Sequence, residues 1–421
     1  MDGRLTQVMG TSSLNSLWAL AQALREADEQ YRDVVHELLF NRIFEARQVF
    51  APARASRHMD LSVAIAWVFE HPAAQVDPLV EELGRDHRRL GFPPEVYDTF
   101  AECLVEGLEI FELSPELAEE AAVRLRRVCQ IMKEAASAAD YAGVPPAHTA
   151  TVTSVERPNR KTALVRLESA FPIDFSAGQS IPVTTQHLPG TWRLLTPANI
   201  SDDTAQLFFH VTDAGDASTM LTLARPGDLW TLGAARGDFP GEIDVSYLGA
   251  SASSPDLYIA YGTGWAAVRA FLLGRIAQGD TSAVAVIAHA ESPGGHYDLL
   301  FQQNLQEIAP EVSIQHTVNE DKDPLLFGTT RAFPAETTVP AMAKVDNPAR
   351  VALEAMVSNP HAFRRCVLVG PADEVTEGAG ILNLGLARAG IVDGVIETHP
   401  WGEGRLTQSL KYGQGFPGLG H

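Results

Sequence analysis

The chain has 421 residues, 45% of them hydrophobic and 20% charged, and its 32 basic and 53 acidic side chains give a net charge of −21. This length exceeds one ordinary core, so two or three domains are expected, and the acidic balance repels nucleic acid and anionic lipid, which disfavours a nucleic-acid-binding function. No segment approaches the ~18 uninterrupted apolar residues of a membrane span.

The opening MDGRLTQVMGTSSLNSLWAL lacks the basic start, apolar run and small-residue cleavage site of an export signal, so a cytoplasmic protein is expected. In residues 14–142 apolar positions recur at spacings of three and four, as in Val34, Val35, Leu38, Leu39 and Ile43 and again in Leu61, Ile65 and Val68. That period predicts an all-helical segment. Within it, LVEELGRDHRRL sets Leu79, Leu83, His87 and Leu90 on one face, with Arg85, Asp86, Arg88 and Arg89 pointing elsewhere. Gly91 stops this helix, and Pro93 and Pro94 open the next. A histidine on an apolar face has two readings: a satisfied core side chain, or an axial ligand to haem iron, which a neutral imidazole in an apolar pocket suits. Cys103, Cys129 and Cys366 are widely spaced and form no CxxC, so they read as packing residues rather than a disulfide framework or a zinc site.

At GVPPAHTATV, residues 143–152, proline and glycine begin to punctuate the chain, and TALVRL and IPVTTQ read as strands. From LYIAYGTGWAAVRAFLLGRIA onward strands alternate with helices: AVAVIAHA then LLFQQNLQEIA, and CVLVGP then a helix near 376–389. This is the pattern of a parallel α/β sheet. Gly262, Thr263 and Gly264 stand between a strand and a helix, where glycines admit a pyrophosphate or simply make a tight turn. Residues 317–348 read as a mostly irregular excursion and the tail after Gly404 as loosely ordered.

Taken together in this order, these segments resemble the flavohaemoglobin family over nearly the whole chain. LFNRIFEARQVFAP is similar to the family's second helix and the phenylalanine that packs on haem, and LGRDHRRLGFPPEVY to its proximal helix, corner and next helix. The resemblance implies an all-α globin domain over residues 1–144, an antiparallel β-barrel FAD domain over 145–250, an α/β parallel-sheet NAD domain over 251–405, and a tail at 406–421. It makes His87 the ligand of haem b, Phe50 a haem-packing ring, Leu61 a wall of the pocket and Tyr97 a group beside the ligand histidine. Phe40 stands where the family has a distal tyrosine, and a phenyl ring donates no hydrogen bond; Arg57 and His58 are substitute donors. The family's proximal glutamate has Glu134 as its nearest counterpart, about one turn displaced.

In the reductase half, WRLLTPAN matches the flavin motif at Arg193 and Thr196, with Leu195 in place of the stacking tyrosine. GDASTML brings Gly215, Ser218 and Thr219 to the expected pyrophosphate turn, where free backbone N–H groups favour phosphate. Gly262, Thr263 and Gly264 match the nucleotide turn, followed by Ala266 and Ala267 instead of the usual threonine and proline; Gly370 and Pro371 match the nicotinamide strand end, with Val369 for cysteine; Trp401 is the ring expected over the flavin. NADH is expected rather than NADPH, since HAESPGGHYD holds acids and no arginine or lysine for a 2′-phosphate. The resemblance thus implies an oxidoreductase that passes electrons from NAD(P)H through FAD to a haem acting on O2 or NO, as in nitric oxide dioxygenation. Its partners would be these small ligands and the nicotinamide, in a monomer or weak homodimer. Two other readings stay open: a haem-based gas or redox sensor or carrier with a degenerate reductase module, and a flavin reductase whose helical module holds no haem.

Overall fold

The computed structural model describes residues 14, 16–43, 61–188, 191–237, 239–241, 254–322, 339–391 and 395–401. The chain divides between Pro146 and Ala147 into two compact units.

The first unit is helical: α1 (Leu17–Glu26), α2 (Asp28–Arg42), α3 (Leu61–Glu70), α4 (Ala73–His87), α5 (Val96–Gly107) and α6 (Pro115–Tyr141). Caps account for the starts. Ser16 accepts from the Ala19 N–H at 3.2 Å, and Ser114 from the Leu117 N–H at 3.2 Å with Pro115 supplying the first helical residue. Gly84 explains how closely α4 crosses α6, because a Cβ there would lie 2.7 Å from the Met132 Cα. The buried Tyr31 hydroxyl donates to the Leu104 carbonyl at 2.8 Å and ties α2 to α5.

Six antiparallel strands open the second unit: β1 (His148–Glu156), β2 (Thr162–Ser169), β3 (Ile181–Thr185), β4 (Arg193–Leu195), β5 (Gln206–Thr212) and β6 (Leu229–Leu232), in the order β4-β3-β6-β1-β2-β5. The outer two meet just past β4, where Pro197 bridges Phe209 and the Ala198 N–H donates to the Phe208 carbonyl at 2.6 Å. The sheet is thereby nearly closed into a barrel, which leaves few open edges. Its interior is filled by alternate residues, among them Val165, Leu167, Ile181, Leu207, Phe209, Val211 and Trp230. A short helix, α7 (Asp216–Thr222), follows β5.

The remaining strands, β7 (Asp256–Tyr261), β8 (Val284–Ala290), β9 (Val312–Val318), β10 (Met342–Lys344), β11 (Arg365–Pro371) and β12 (Val395–Trp401), form a parallel sheet in the order β10-β9-β8-β7-β11-β12. Helices α8 (Trp265–Ala277), α9 (Leu299–Ile308), α10 (Pro348–Ser358) and α11 (Ala372–Arg388) connect them. The chain runs outward from β7 to β10 and then returns to lay β11 on the other side of β7. The carboxyl ends of β7 and β11 therefore flank a topological switch point, where open α/β sheets bind ligands.

Among the described residues the expected strands and helices are present at their places, and the fold class is the expected one: helices, an antiparallel barrel and a parallel α/β sheet. Within the excursion at 317–348 the described residues hold the end of β9 and the short β10, which pair through Met342 and His316. The charges flanking His87 are paired: Asp86, 9% exposed, takes a bidentate pair from Arg89 at 2.7 and 2.9 Å, and the Arg88 guanidinium lies 2.6 Å from Asp140. Both pairs fold back onto the end of α4 and its neighbour α6. All three cysteines are buried free thiols, and burial pushes Cys129 up to about 12. No described helix is long and apolar enough to cross a membrane.

Candidate functional site

In the helical unit, α4 ends at His87, a 3-10 turn (Arg88–Leu90) follows, and Gly91 stops it with φ 80°. The corner brings α5 back so that the Tyr97 hydroxyl lies 3.4 Å from His87 Nδ1. Phe92 fills the corner, its ring 6.1 Å from His87 and edge-on to Tyr97 at 4.8 Å. Tyr97 is fully buried, and burial first, then the neighbouring Cys129 and Asp86, push its phenol up, so it stays neutral. The Tyr97 hydroxyl therefore stands on the Nδ1 side of the imidazole. Phe40 and Leu61 are half-buried on α2 and α3, and the Phe40 ring stacks on His36 at 5.6 Å. His36 is a polar neighbour that the sequence reading passed over, although its i, i+4 spacing from Phe40 was visible. Phe50, Arg57 and His58 lie outside the described residues.

Glu134 requires a correction. It is exposed and accepts from Gln130 Nε2 at 2.7 Å, one turn back on its own helix, while Ala135 and Ala136 take the buried positions beside it. Helix geometry turns adjacent residues about 100° apart, so Glu134 faces away from the side that packs.

In the second unit, Arg193 is half-buried on β4, and the buried Thr196 hydroxyl shares a 2.9 Å hydrogen bond with Ser180. Leu195 packs against the barrel core. The turn before α7 also differs from expectation. The Asp213 carboxylate accepts from the Gly215 N–H at 3.1 Å and the Thr219 hydroxyl at 2.5 Å, while the Ser218 hydroxyl donates to the Gly215 carbonyl at 2.7 Å. The hydroxyl of Thr219, then the Gly215 N–H, hold Asp213 below the usual carboxylate range. Donors expected to meet phosphate are thus engaged by an internal anion.

Outside the barrel, Phe208 and His210 face the parallel-sheet half. The Arg166 and Arg269 guanidiniums lie 4.0 and 5.3 Å from the Phe208 ring centre. Arg269 pairs with Asp298 at 3.2 Å and donates to the Ala198 carbonyl, and Asp298 accepts from Trp265 Nε1 at 2.7 Å. Trp401 packs on the same cluster as Ala198, Phe208, Ala266 and Tyr297. This seam was missed in the sequence, although QLFFHVT alternates and so marks Phe208 and His210 as sharing a face.

At the switch point, Gly262 has φ 52° and open space around its missing Cβ, whereas a Cβ on Gly264 would strike the Val369 carbonyl. Gly264 therefore serves the packing of turn on strand, and Gly262 is the open one. Gly370 and Pro371 end β11 beside them; a Cβ on Gly370 would lie 2.6 Å from the Tyr261 Cβ. Thr263 is half-buried in the same turn. A small pocket, with room for about one water, is bordered by Gly262, Trp265, His289, His296 and Asp298. His316 lies 5.2 Å from His296, and all three histidines are buried and neutral, burial lowering His289, His296 and His316 to about 4, about 3 and about 4. Past β8, Glu291 meets a cation brought from far away in the chain. Buried Asn159 accepts from the Lys161 and Thr162 N–H groups and donates to the Gly294 carbonyl, and Lys161 Nζ lies 3.2 Å from Glu291.

These residues can be tested against the groups the family resemblance implies. A haem needs one axial nitrogen, and His87 with a buried hydroxyl behind it is a suitable donor set. A flavin ring suits the seam, where buried polar atoms of His210 and Trp401 have no partner. The turn at Asp213 is less suited to pyrophosphate. Among the described residues no cluster of three or more His, Cys, Asp or Glu is arranged to hold a bare metal ion.

The fold defined here is a helical unit joined to a barrel and a parallel α/β sheet. The chain has a flavohaemoglobin-like fold: it superposes on a flavohaemoglobin from Malassezia yamatoensis with bound FAD and haem at a TM-score of 0.60 and 19% identity, over 92% of this chain and 100% of that one. It is also similar to a ferredoxin reductase of carbazole 1,9a-dioxygenase (TM-score 0.45, 17% identity, 60% of this chain and 69% of that one). A third likeness is to the flavohaem-like FAD/NAD-binding domain of nitric oxide dioxygenase from Vibrio cholerae (TM-score 0.42, 18% identity, 60% of this chain and 98% of that one). No protein-family model matches the chain, and no curated protein sequence matches it.

Proposed function

We propose that the chain is an NAD(P)H-dependent oxidoreductase of flavohaemoglobin type, in which electrons pass from the nicotinamide through FAD to a haem b held by His87. The observation that carries this reading is the placement of the His87 imidazole against the buried Tyr97 hydroxyl, in a chain whose fold matches a flavohaemoglobin over 92% of its length. The division proposed is a haem-binding domain to 144, an FAD domain to 250, a nicotinamide domain to 405, and a tail, in a cytoplasmic monomer or weak homodimer.

The cofactors, when bound, supply the hydride, one-electron and oxygen chemistry. The chain's residues orient them. For Nε2 to ligate iron, Nδ1 carries the proton and donates it to the Tyr97 oxygen, which fixes the ring and its tautomer. Phe40 would give a haem pocket an apolar wall without a hydrogen-bond donor, where a tyrosine would supply one. Arg193 and Thr196 would position the flavin, Trp401 would contact its ring, and the turns at Gly262 and Gly370 would receive the nicotinamide nucleotide. Glu291, at the carboxyl end of β8, is suited to accept from the ribose hydroxyls and favours NADH. The reaction proposed is activation or reduction of O2 or NO, nitric oxide dioxygenation among them.

The Asp213 contacts favour a second reading, a haem sensor or carrier with a degenerate reductase, because they compete with flavin pyrophosphate. Haem reconstitution tests the first requirement of either reading. The wild type should take up one haem with a Soret band, His87→Gly should lose it, and added imidazole should restore it. Uptake by His87→Gly equal to the wild type would remove His87 as the ligand.

A further inference from the structure

Strand β5 sends Leu207, Phe209 and Val211 into the barrel and turns Phe208 and His210 outward. His210 is only 5% exposed. Burial, then the charges of Arg269 and Arg166, hold its imidazole well below its ordinary range, so it is neutral at pH 7. Its Nδ1 lies 3.0 Å from the Tyr297 hydroxyl, whereas its Nε2 is buried and has no partner. Burial keeps Tyr297 protonated, and that hydroxyl must spend its proton on an acceptor. Nδ1 is the acceptor it meets, which assigns the imidazole proton to Nε2.

Trp401, at the end of β12, has a second buried donor without a partner, its indole N–H. Both rings meet one cluster: Trp401 packs on Ala198, Phe208 and Ala266 together with Tyr297, and the His210 ring is edge-on to Phe208 at 4.7 Å and to Tyr297 at 5.2 Å. The segment Arg193–Thr196 runs directly into it, since Ala198 donates to the Phe208 carbonyl. Two N–H donors from two different sheets thus stand unsatisfied beside that segment. Buried donors without acceptors destabilise a fold. A planar ligand carrying acceptor oxygens along one edge would satisfy both.

We propose that His210 and Trp401 donate hydrogen bonds to the carbonyl oxygens on the pyrimidine edge of a flavin ring, making His210 a residue that fixes the ring's orientation and tunes its potential. This rests on the flavin reading above. Negative charge gathers on the pyrimidine edge when the ring is reduced, so donors there hold the reduced form more tightly than the oxidised one.

The experiment is a titration of the flavin-free full chain with FAD and with riboflavin, followed by flavin fluorescence, on the wild type, His210→Phe, His210→Gln and Trp401→Phe, with the potential of the bound flavin measured for each. His210→Phe should weaken both ligands about tenfold, lower the two-electron potential, and leave the melting temperature of the flavin-free chain equal or higher, because an unsatisfied donor has been removed. His210→Gln keeps an N–H donor and should recover part of the affinity and potential. Equal affinity and potential in the wild type and His210→Phe would overturn the assignment while leaving the flavin reading intact. A wild type that binds neither ligand would overturn both. Should His210→Phe not fold, His210→Leu and Trp401→Phe give the same decision, since each lacks the donor and unchanged affinity and potential in both removes the donors from the flavin's surroundings.

Discussion

The two ends of the parallel sheet treat buried polarity in opposite ways. Near the amino ends of the strands, Asp256 accepts a bidentate pair from Arg364 at 2.8 and 2.9 Å and a bond from Arg365 at 3.0 Å, and Arg365 reaches Glu397 at 3.1 Å. Every charge in this group meets an opposite one. At the carboxyl ends, His210 and Trp401 keep donors without acceptors, although the neutral histidines His289, His296 and His316 nearby are hydrogen-bonded. A saturated group adds rigidity and leaves little for a ligand to do. An unsaturated one is costly until something binds, and so marks the end where function belongs.

The paired end is the easier to break. Asp256→Ala should leave Arg365 buried without its carboxylate and destabilise the chain by ~3–5 kcal/mol, read by urea denaturation, with a smaller loss in Asp256→Asn. Indifference to either change would show that the cluster is not what holds this end of the sheet.

Acid should act next, and at the opposite end. Unfolded imidazoles titrate near 6.5, but His289, His296 and His316 do so at about 4, about 3 and about 4 in the fold. The unfolded chain therefore binds more protons below pH 6.5. Stability should be complete above that value and fall as pH drops towards 4, with each histidine contributing up to ~1.4 kcal/mol per pH unit. Replacing His316, which bonds Gln302 at 2.6 Å, by glutamine should flatten the profile.

Smaller effects sharpen the ligand side. Asp213→Asn should tighten FAD relative to riboflavin about fivefold, an effect of ~1 kcal/mol from one removed charge near phosphate. An unchanged ratio would mean that phosphate does not approach that turn. Smallest of all, Glu291→Gln should free Lys161 and shift the preference between 2′,5′-ADP and 5′-AMP severalfold towards the 2′-phosphate, with the shift absent when Lys161→Ala is added. Calorimetry with the two nucleotides separates these outcomes.

Periodicity made much of this molecule legible. The three-and-four spacing marked the helical unit, the strand–helix alternation marked the parallel sheet, and Gly91, Pro93 and Pro94 marked the corner that sets Tyr97 behind His87. That pair was readable because both residues flank one short turn. What escaped the sequence depends on side-chain direction or on distant segments. Glu134 and Ala135 are neighbours in the chain, yet only one faces the packed side. Lys161 meets Glu291 across 130 positions through a turn docked by Asn159, so the absence of a nearby cation in HAESPGGHYD was a weaker argument for NADH than it looked. His210 carries no motif, and its significance comes from a missing partner, which only packing reveals.

The activity proposed is electron flow from nicotinamide through flavin to a haem on His87. It is tested most directly by the absorption spectrum of the FAD-loaded, haem-loaded chain before and after NADH in the absence of oxygen. The expected result is bleaching of the flavin bands and a shift of the Soret band to that of ferrous haem, with the shift lost in His87→Gly. A Soret band that stays ferric while NADH is present, with flavin bound and unbleached, would contradict it and leave a haem protein whose second unit reduces nothing.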